Sequence, residues 1–350
     1  MRKTAIILIV ALTISGCSFF NRDVSYPNVF TQDGGMHWYY RQLDANQQID
    51  YQNIYNCLAA YGSHVAIQAT NVSELQVVVD AVVFDNPEIF YMANCTLNQQ
   101  GKSYYFEPQY LFDRDEVEDY RDQLQAKAQS VTEDIAGEDE YDQIVYLYEY
   151  VINHNEYVTN ADYNQTVVSS MIYGKTVCAG YASMFQYLSD YIGLDVGSMV
   201  GISIETSSNP SQYHQWNVVE YEGDYYYLDA TWGDAIDGLL YDYCMYSSDI
   251  MTNLYEPTGE VYPTGNLANT YYQRNDQYID DYSLAQVEAI IKNSPGRSCS
   301  IQFSDDSYNL AKRRLISQQE IFTALQNTGY LSNNIDYLTN DITKTIYVEY

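Results

Sequence analysis

The stretch from His214 to Thr231 constrains this chain more than any other. His-Gln-Trp-Asn-Val-Val-Glu-Tyr (214–221) alternates with a period of two, and Tyr225–Thr231 follows as a second extended run. Glu222-Gly223 between them suits a two-residue turn with its glycine in the left-handed conformation. Such a turn pairs Tyr221 with Asp224 and therefore Trp216 with Asp229. His214 and Asp229 then fall on one face as diagonal neighbours, about 7–8 Å apart at the backbone and within reach of an imidazole–carboxylate hydrogen bond. A three-residue turn would shift the register by one and send the two side chains to opposite faces.

A helix start lies upstream. Thr176 is the predicted N-cap, and Tyr181, Phe185, Leu188 and Ile192 form an apolar stripe that stops at Gly193. Cys178 is thereby placed in the first turn, where unpaired N–H groups and the positive dipole end favour a thiolate. A free thiol near pKa 8.5 is only a few per cent ionised at pH 7, and a helix start with a nearby imidazolium lowers that value to about 3.5–7.5. Gly180 is expected to leave room beside the sulfur for a substrate carbonyl. Taken singly, Cys178 reads as core packing, His214 as a satisfied structural histidine and Asp229 as a capping carboxylate. Together they are a nucleophile, its base and the group that orients the base. His37, His64 and His154 are poorer bases, having no such neighbours.

The segments Thr-Val-Cys-Ala-Gly-Tyr-Ala (176–182), His-Gln-Trp-Asn (214–217) and Leu-Asp-Ala-Thr-Trp (228–232) resemble the transglutaminase-like superfamily, over roughly residues 138–247. That family's core carries Cys-x-Gly-Tyr-Ala, His-x-Trp-Asn and Asp-x-Thr-Trp. The resemblance implies a papain-like α+β core and Cys-His-Asp chemistry on amides, with Cys178, His214 and Asp229 as the catalytic residues. It also implies that Trp216 and Trp232 shield the site from water. Gly180, Tyr181 and Asn217 join them as substrate-binding or supporting positions, and Asp234 is a further supporting candidate. Gln215, where the family commonly has a small residue, points away from the His214 face. Calcium control, known in animal members, is not carried over, and no metal site or cofactor is expected: no Cys-x-x-Cys, His-Glu-x-x-His or calcium-loop spacing occurs.

The N-terminal letters address location. Arg2 and Lys3 precede an apolar run from Ala5 to Leu12, too short to span a bilayer, and Ile14-Ser15-Gly16-Cys17 follows. This resembles a bacterial lipoprotein signal in which residues 1–16 are removed and Cys17 is lipidated. Removal would move the formal net charge from −31 to −33, a balance that argues against nucleic acid and against adhesion to anionic lipid. Anchoring then falls to the lipid, and two acyl chains hold stably where one does not. Cys57, Cys95, Cys244 and Cys299 are able to form two bridges in an oxidising exterior, with Cys57–Cys95 and Cys244–Cys299 favoured by neighbourhood; buried free thiols explain the same letters. Forty tyrosines suit half-buried boundary positions in such a fold.

The expected organisation is a signal (1–16), a tether (17–40), an N-terminal α+β accessory region (41–135), a transglutaminase-like catalytic core (136–250) and a C-terminal accessory region (251–350). The core is a cysteine-bearing helix packed on an antiparallel sheet carrying His214 and Asp229, with N-terminal helical and C-terminal α/β extensions. Helices are predicted near 45–61, 73–84, 113–131, 138–154, 283–292 and 308–326. Strands are predicted at Ile89–Met92 and Ser103–Phe106 and near 299–303 and 344–350. The functional expectation is a cysteine acyl-transferase or hydrolase on the outer face of a bacterial membrane, acting through a thioester on peptide or isopeptide bonds, with cell-wall peptide among the candidate substrates. Cleavage is slightly favoured over crosslinking. The rival reading is a catalytically silent surface adhesin or assembly module that binds protein or wall polymer.

Overall fold

A computed structural model describes residues 10–14, 24–31, 35–204, 211–234, 239–294, 296–331 and 334–350. Cys17, most of the signal segment and part of the tether lie outside the described residues. The chain forms two compact units: residues 1–222, 229–231 and 256–261 make the first, and 223–228, 232–255 and 262–350 the second. Helices and sheets are mixed as in an α+β protein.

The N-terminal part of the first unit is a small sheet covered by two helices. Its strands run in the order β1 (Val10–Ile14), β3 (Met92–Gln100), β4 (Ser103–Tyr110), β2 (Val65–Ile67). Helix α1 (Ala45–Ala59) starts with a reciprocal cap: the Asp44 carboxylate accepts from Asn46 and Gln47 N–H, and the Gln47 side chain accepts from Asp44 N–H. Helix α2 (Val72–Asp85) buries Leu75, Val78, Val79, Ala81 and Val82, the stripe expected from their spacing. At its end Asp85 accepts the backbone N–H groups of Tyr39 and Tyr40 and the Tyr51 hydroxyl. Met36, Trp38 and Tyr40 are buried alongside, and Phe30 is buried with its N–H and that of Val29 on Asn56 Oδ1, so the tether expected to reach residue 40 has already joined the folded unit by residue 29.

One strand departs from expectation. Ile89, Phe90 and Tyr91 form a buried turn, and β3 begins only at Met92, continuing through the polar residues to Gln100. The apolar letters there report burial and not extension.

Helices α3 (Arg114–Thr132) and α4 (Glu140–His154) follow, capped by Asp113 and Asp139. They pack with helix α5 (Cys178–Ile192), which buries Tyr181, Ala182, Phe185 and Leu188 and stops where Gly193 turns left-handed at φ 81°. Strand β5 (Val196–Ser203) is antiparallel to β6 (Tyr213–Tyr221), with Ser198 opposite Asn217 and Gly201 opposite His214. Buried polar bonds tie these layers together: Gln215 Nε2 donates to Ser198 Oγ at 3.2 Å, Ser198 Oγ to Gln186 Oε1 at 2.8 Å, and Gln186 Nε2 to the Asp85 carbonyl at 2.9 Å. Strand, helix and accessory helix are thereby fixed to one another by a continuous run of buried bonds.

The second unit opens with β7 (Asp224–Leu228) and contains a four-stranded sheet in the order Tyr278–Ile279, β8 (Ser298–Phe303), β10 (Thr345–Glu349), β9 (Asp336–Asn340). Alternation buries Cys299, Ile301 and Phe303 against Val287 and Ile291 of α6 (Leu284–Asn293). The single helix predicted near 308–326 is two, α7 (Asp305–Lys312) and α8 (Glu320–Thr328), parted by a wide turn at Arg313–Ser317 and by Gln319 at φ 60°. The two anticipated disulfides are not formed. Cys57, Cys95, Cys244 and Cys299 are buried thiols outside any disulfide, and burial pushes Cys57, Cys95 and Cys299 up to about 12.

Candidate active site

Cys178 is the first residue of α5 and is partly exposed. The loop before it is held by a two-residue parallel pairing of Glu156–Tyr157 with Lys175–Thr176. The N-cap is Val177 and not the expected Thr176, and it offers no side-chain bond. Thr176 is turned the other way: its hydroxyl donates to the Asn164 carbonyl at 2.7 Å, which also takes the Val177 N–H at 3.1 Å. This explains Gly180 differently from the sequence reading. A Cβ there would lie 1.8 Å from Thr176 Oγ1, so the glycine makes room for Thr176 and not for a substrate.

His214 sits near the start of β6, 2% exposed, and Asp229 is 1% exposed. The chain reverses at Glu222 and Gly223, both at positive φ (53° and 77°), the conformation of the predicted two-residue turn. The second strand is shorter than expected and ends at Leu228; Asp229 begins a short helical turn, Ala230–Gly233. Its two oxygens are divided. Oδ1 accepts the Thr231 N–H at 2.9 Å, and Oδ2 lies 2.6 Å from His214 Nε2. The capping role and the orienting role are therefore held by the same carboxylate.

The Cys178 thiol hydrogen-bonds the His214 side chain, and with Nε2 taken by Asp229 the ring nitrogen left for it is Nδ1. Burial, the largest single influence, depresses the imidazole; the Asp229 charge and hydrogen bond outweigh it, helped by Cys178, and raise His214 to about 10. A cationic ring stabilised in this way next to a thiol is the electrostatic arrangement that supports a nucleophilic sulfur.

The other predicted positions separate. Trp216 is buried two residues along the strand, its ring 6.2 Å from His214 and nearly parallel to it. Asn217 donates to the Ala182 carbonyl at 3.1 Å and the Gly197 carbonyl at 3.3 Å, locking α5 onto the sheet. Tyr181 is fully buried, with the Tyr157 ring 6.4 Å away. Trp232 belongs to the second unit, where its ring packs 5.5 Å from Tyr243 and 5.4 Å from Tyr255. The remaining histidines have local partners: His37 with the Thr31 carbonyl, His64 with Ser63 Oγ, His154 with the Met171 carbonyl.

Two tyrosines beside the sulfur were not anticipated. Burial raises both Tyr157 and Tyr213 to about 12; Cys178 and Asp229 add to this at Tyr157, and Asp80 and Cys178 at Tyr213. Tyr213 directly precedes the histidine motif, which was the available signal, whereas nothing near Tyr157 marks it.

Residues 127–230 match the model of the transglutaminase-like superfamily. Among solved structures, a candidate cysteine protease from Cytophaga hutchinsonii is 16% identical, with 48% of this chain and 58% of that one covered and a TM-score of 0.29. A TGase is also 16% identical, at 48% and 50% coverage and a TM-score of 0.27. A candidate protease from Parabacteroides distasonis is 6% identical, at 73% and 60% coverage and a TM-score of 0.29. This chain thus spans less than two thirds of the length of each. No curated protein matches it.

Proposed function

We propose, starting from the transglutaminase-like domain that residues 127–230 make up, that this protein is a cysteine acyl-transferase or hydrolase acting on amide bonds. The observation that carries the reading is the joined set of contacts at one place: thiol to imidazole, imidazole to carboxylate at 2.6 Å, with the sulfur at a helix start.

In the proposed reaction the Cys178 proton already rests on His214 Nδ1, and the thiolate of this ion pair attacks an amide carbonyl. The imidazolium then protonates the leaving amine, and the acyl group remains on sulfur as a thioester. Asp229 holds Nε2 and stabilises the charged ring. The N–H of Cys178, at a helix position with no intrahelical acceptor, is the candidate donor to the developing oxyanion. Water resolving the thioester makes the protein a protease or amidase, and an amine resolving it makes a crosslinker. Hydrolysis of peptide or isopeptide bonds is the slightly favoured outcome.

The N-terminal sequence supports an extracytoplasmic setting, with a lipid on Cys17 as the anchor and a protein or wall peptide as the substrate. Among the described residues no helix is long and apolar enough to cross a membrane. The test of the chemistry is to incubate the protein with a cell-surface extract and identify by mass spectrometry the fragment carried on Cys178. Cys178→Ala is expected to lose acyl capture, iodoacetamide labelling at that position and all turnover. Full activity in that variant would exclude the mechanism, whereas a wild type that shows neither acyl capture nor turnover would leave the non-catalytic adhesin.

A further inference from the structure

We infer that a small cavity at the far end of the cysteine helix, walled by Asp85, Glu88, Asp190 and His37, binds a primary alkylammonium group, the chemistry of a lysine side chain or a free aliphatic amine. The site stands apart from the reaction proposed for Cys178, because Asp190 lies twelve residues along α5 from the nucleophile, about 18 Å by helix rise.

The cavity measures about 260 Å³ and is built from the first unit alone. Two helices bring their negative ends to it. Asp85 is the last residue of α2 and Asp190 lies in the last turn of α5, and neither turn carries a basic residue. A carboxylate at the carbonyl end of a helix stands where a cation is favoured. Glu88 adds a third acid, and among the described lining residues there is no lysine or arginine. Arg41 and Arg121, whose charges reach Asp85 and Glu88, are engaged by Glu220 at 3.7 Å and Glu118 at 2.9 Å.

The unspent polar atoms here are acceptors. Asp190 Oδ1 and His37 Nδ1 are both buried without a hydrogen-bond partner among the described residues, and His37 as a whole is 7% exposed. His37 Nε2 faces the Thr31 carbonyl at 3.1 Å, so it carries the proton, and burial lowers the imidazole and keeps it neutral at pH 7. Its Nδ1 is then a lone pair seeking a donor. Glu88 takes the Tyr55 hydroxyl at 3.0 Å on one oxygen, which leaves a carboxylate further acceptor capacity. An ammonium has three donors and no acceptor, the complement of Asp190, His37 and Glu88.

Phe30, Tyr55, Tyr187 and Tyr191 complete the walls, and such rings attract a cation while covering its methylenes. Tyr191, 41% exposed, reaches solvent. Burial pushes all three acids up, Asp85 to about 7; at Asp190 the charges of Glu88, Asp85 and Asp195 add to it. A bound ammonium offsets that repulsion. A metal ion suits the site less well. Asp85 is already spent on the Tyr39 and Tyr40 N–H groups and the Tyr51 hydroxyl, and among the described residues no three acids, histidines or cysteines are placed to hold one.

The experiment titrates the full chain at physiological ionic strength, by calorimetry, with n-pentylammonium, a capped lysine (Nα-acetyl-lysine N-methylamide), 1-pentanol, tetramethylammonium and calcium chloride. The two primary ammonium probes should bind. Pentanol lacks the charge and tetramethylammonium lacks the N–H donors, so each should bind at least about tenfold more weakly. Tighter binding of the capped lysine assigns a polypeptide partner and tighter binding of pentylammonium a small amine; either supports the site. Asp190→Asn, which keeps the shape and removes the charge, should weaken both at least about tenfold. Glu88→Gln, which keeps an acceptor for the Tyr55 hydroxyl, should do the same, and if one variant does not fold the other decides. No binding of either ammonium probe, equal binding of pentanol or tetramethylammonium, or unchanged affinity in the folded variants overturns the site. Calcium binding in place of the ammonium probes overturns it as well.

Discussion

Asp229 reaches His214 with one oxygen, Oδ2 to Nε2 at 2.6 Å, while its other oxygen holds the Thr231 N–H at 2.9 Å. A carboxylate anchored by a backbone N–H cannot rotate away from the ring without losing that bond. The imidazole is thereby held in one orientation, with its second nitrogen available to the sulfur.

Asp229→Asn separates these two roles. The asparagine oxygen keeps the Thr231 N–H, so the fold should persist with little change in melting temperature. The amide nitrogen then faces Nε2 and donates to it, which leaves the proton on Nδ1, where it blocks transfer from the thiol. Turnover should fall by about 10⁴, as in other triads that lose the orienting carboxylate. Loss of less than tenfold, measured as kcat/KM, would mean that Asp229 does not govern the tautomer.

The same pair sets a pH dependence of stability. His214 is raised from 6.5 to about 10 on folding, so its contribution is fully present below pH 6.5 and is lost as pH rises through about 10. Thermal melts of the wild type between pH 6.5 and 10 should decline more steeply than those of Asp229→Asn. Parallel curves would show that the ring is not held charged.

Gly180→Ala tests the packing beneath the nucleophile. The new Cβ would sit 1.8 Å from Thr176 Oγ1 and 2.8 Å from Thr176 Cβ, so Thr176 has to move and release the Asn164 carbonyl. A loss of about 1–3 kcal/mol is expected in chemical denaturation, as for other overpacked sites. Adding Thr176→Ala removes the nearer atom but leaves the Cβ, so recovery should be partial. An unperturbed single variant would show that the glycine serves the cleft instead.

The buried cysteines predict indifference to reductant. Cys57, Cys95, Cys244 and Cys299 are reduced, so dithiothreitol should leave the melting temperature unchanged, and all four should react with a thiol reagent once the chain is denatured without reductant. A native bridge would reveal itself as a loss of typically about 2–4 kcal/mol on reduction.

What the sequence determined was local and periodic. The alternation of 214–221, the Glu222-Gly223 turn and the Cys178–Gly193 helix depend on neighbouring residues. Gln215 pointing away from the histidine face follows from the same period of two. Tertiary structure decided whatever depends on residues distant in the chain. Thr176 abandoned its cap for a carbonyl twelve positions upstream, and Gly180 took its meaning from that choice. Ile89–Tyr91 became a buried turn, and the four buried cysteines remained thiols, because burial among long-range neighbours overrides what apolar letters or sequence proximity suggest. Periodicity reports which way a side chain faces; only the packed neighbours determine what it meets there.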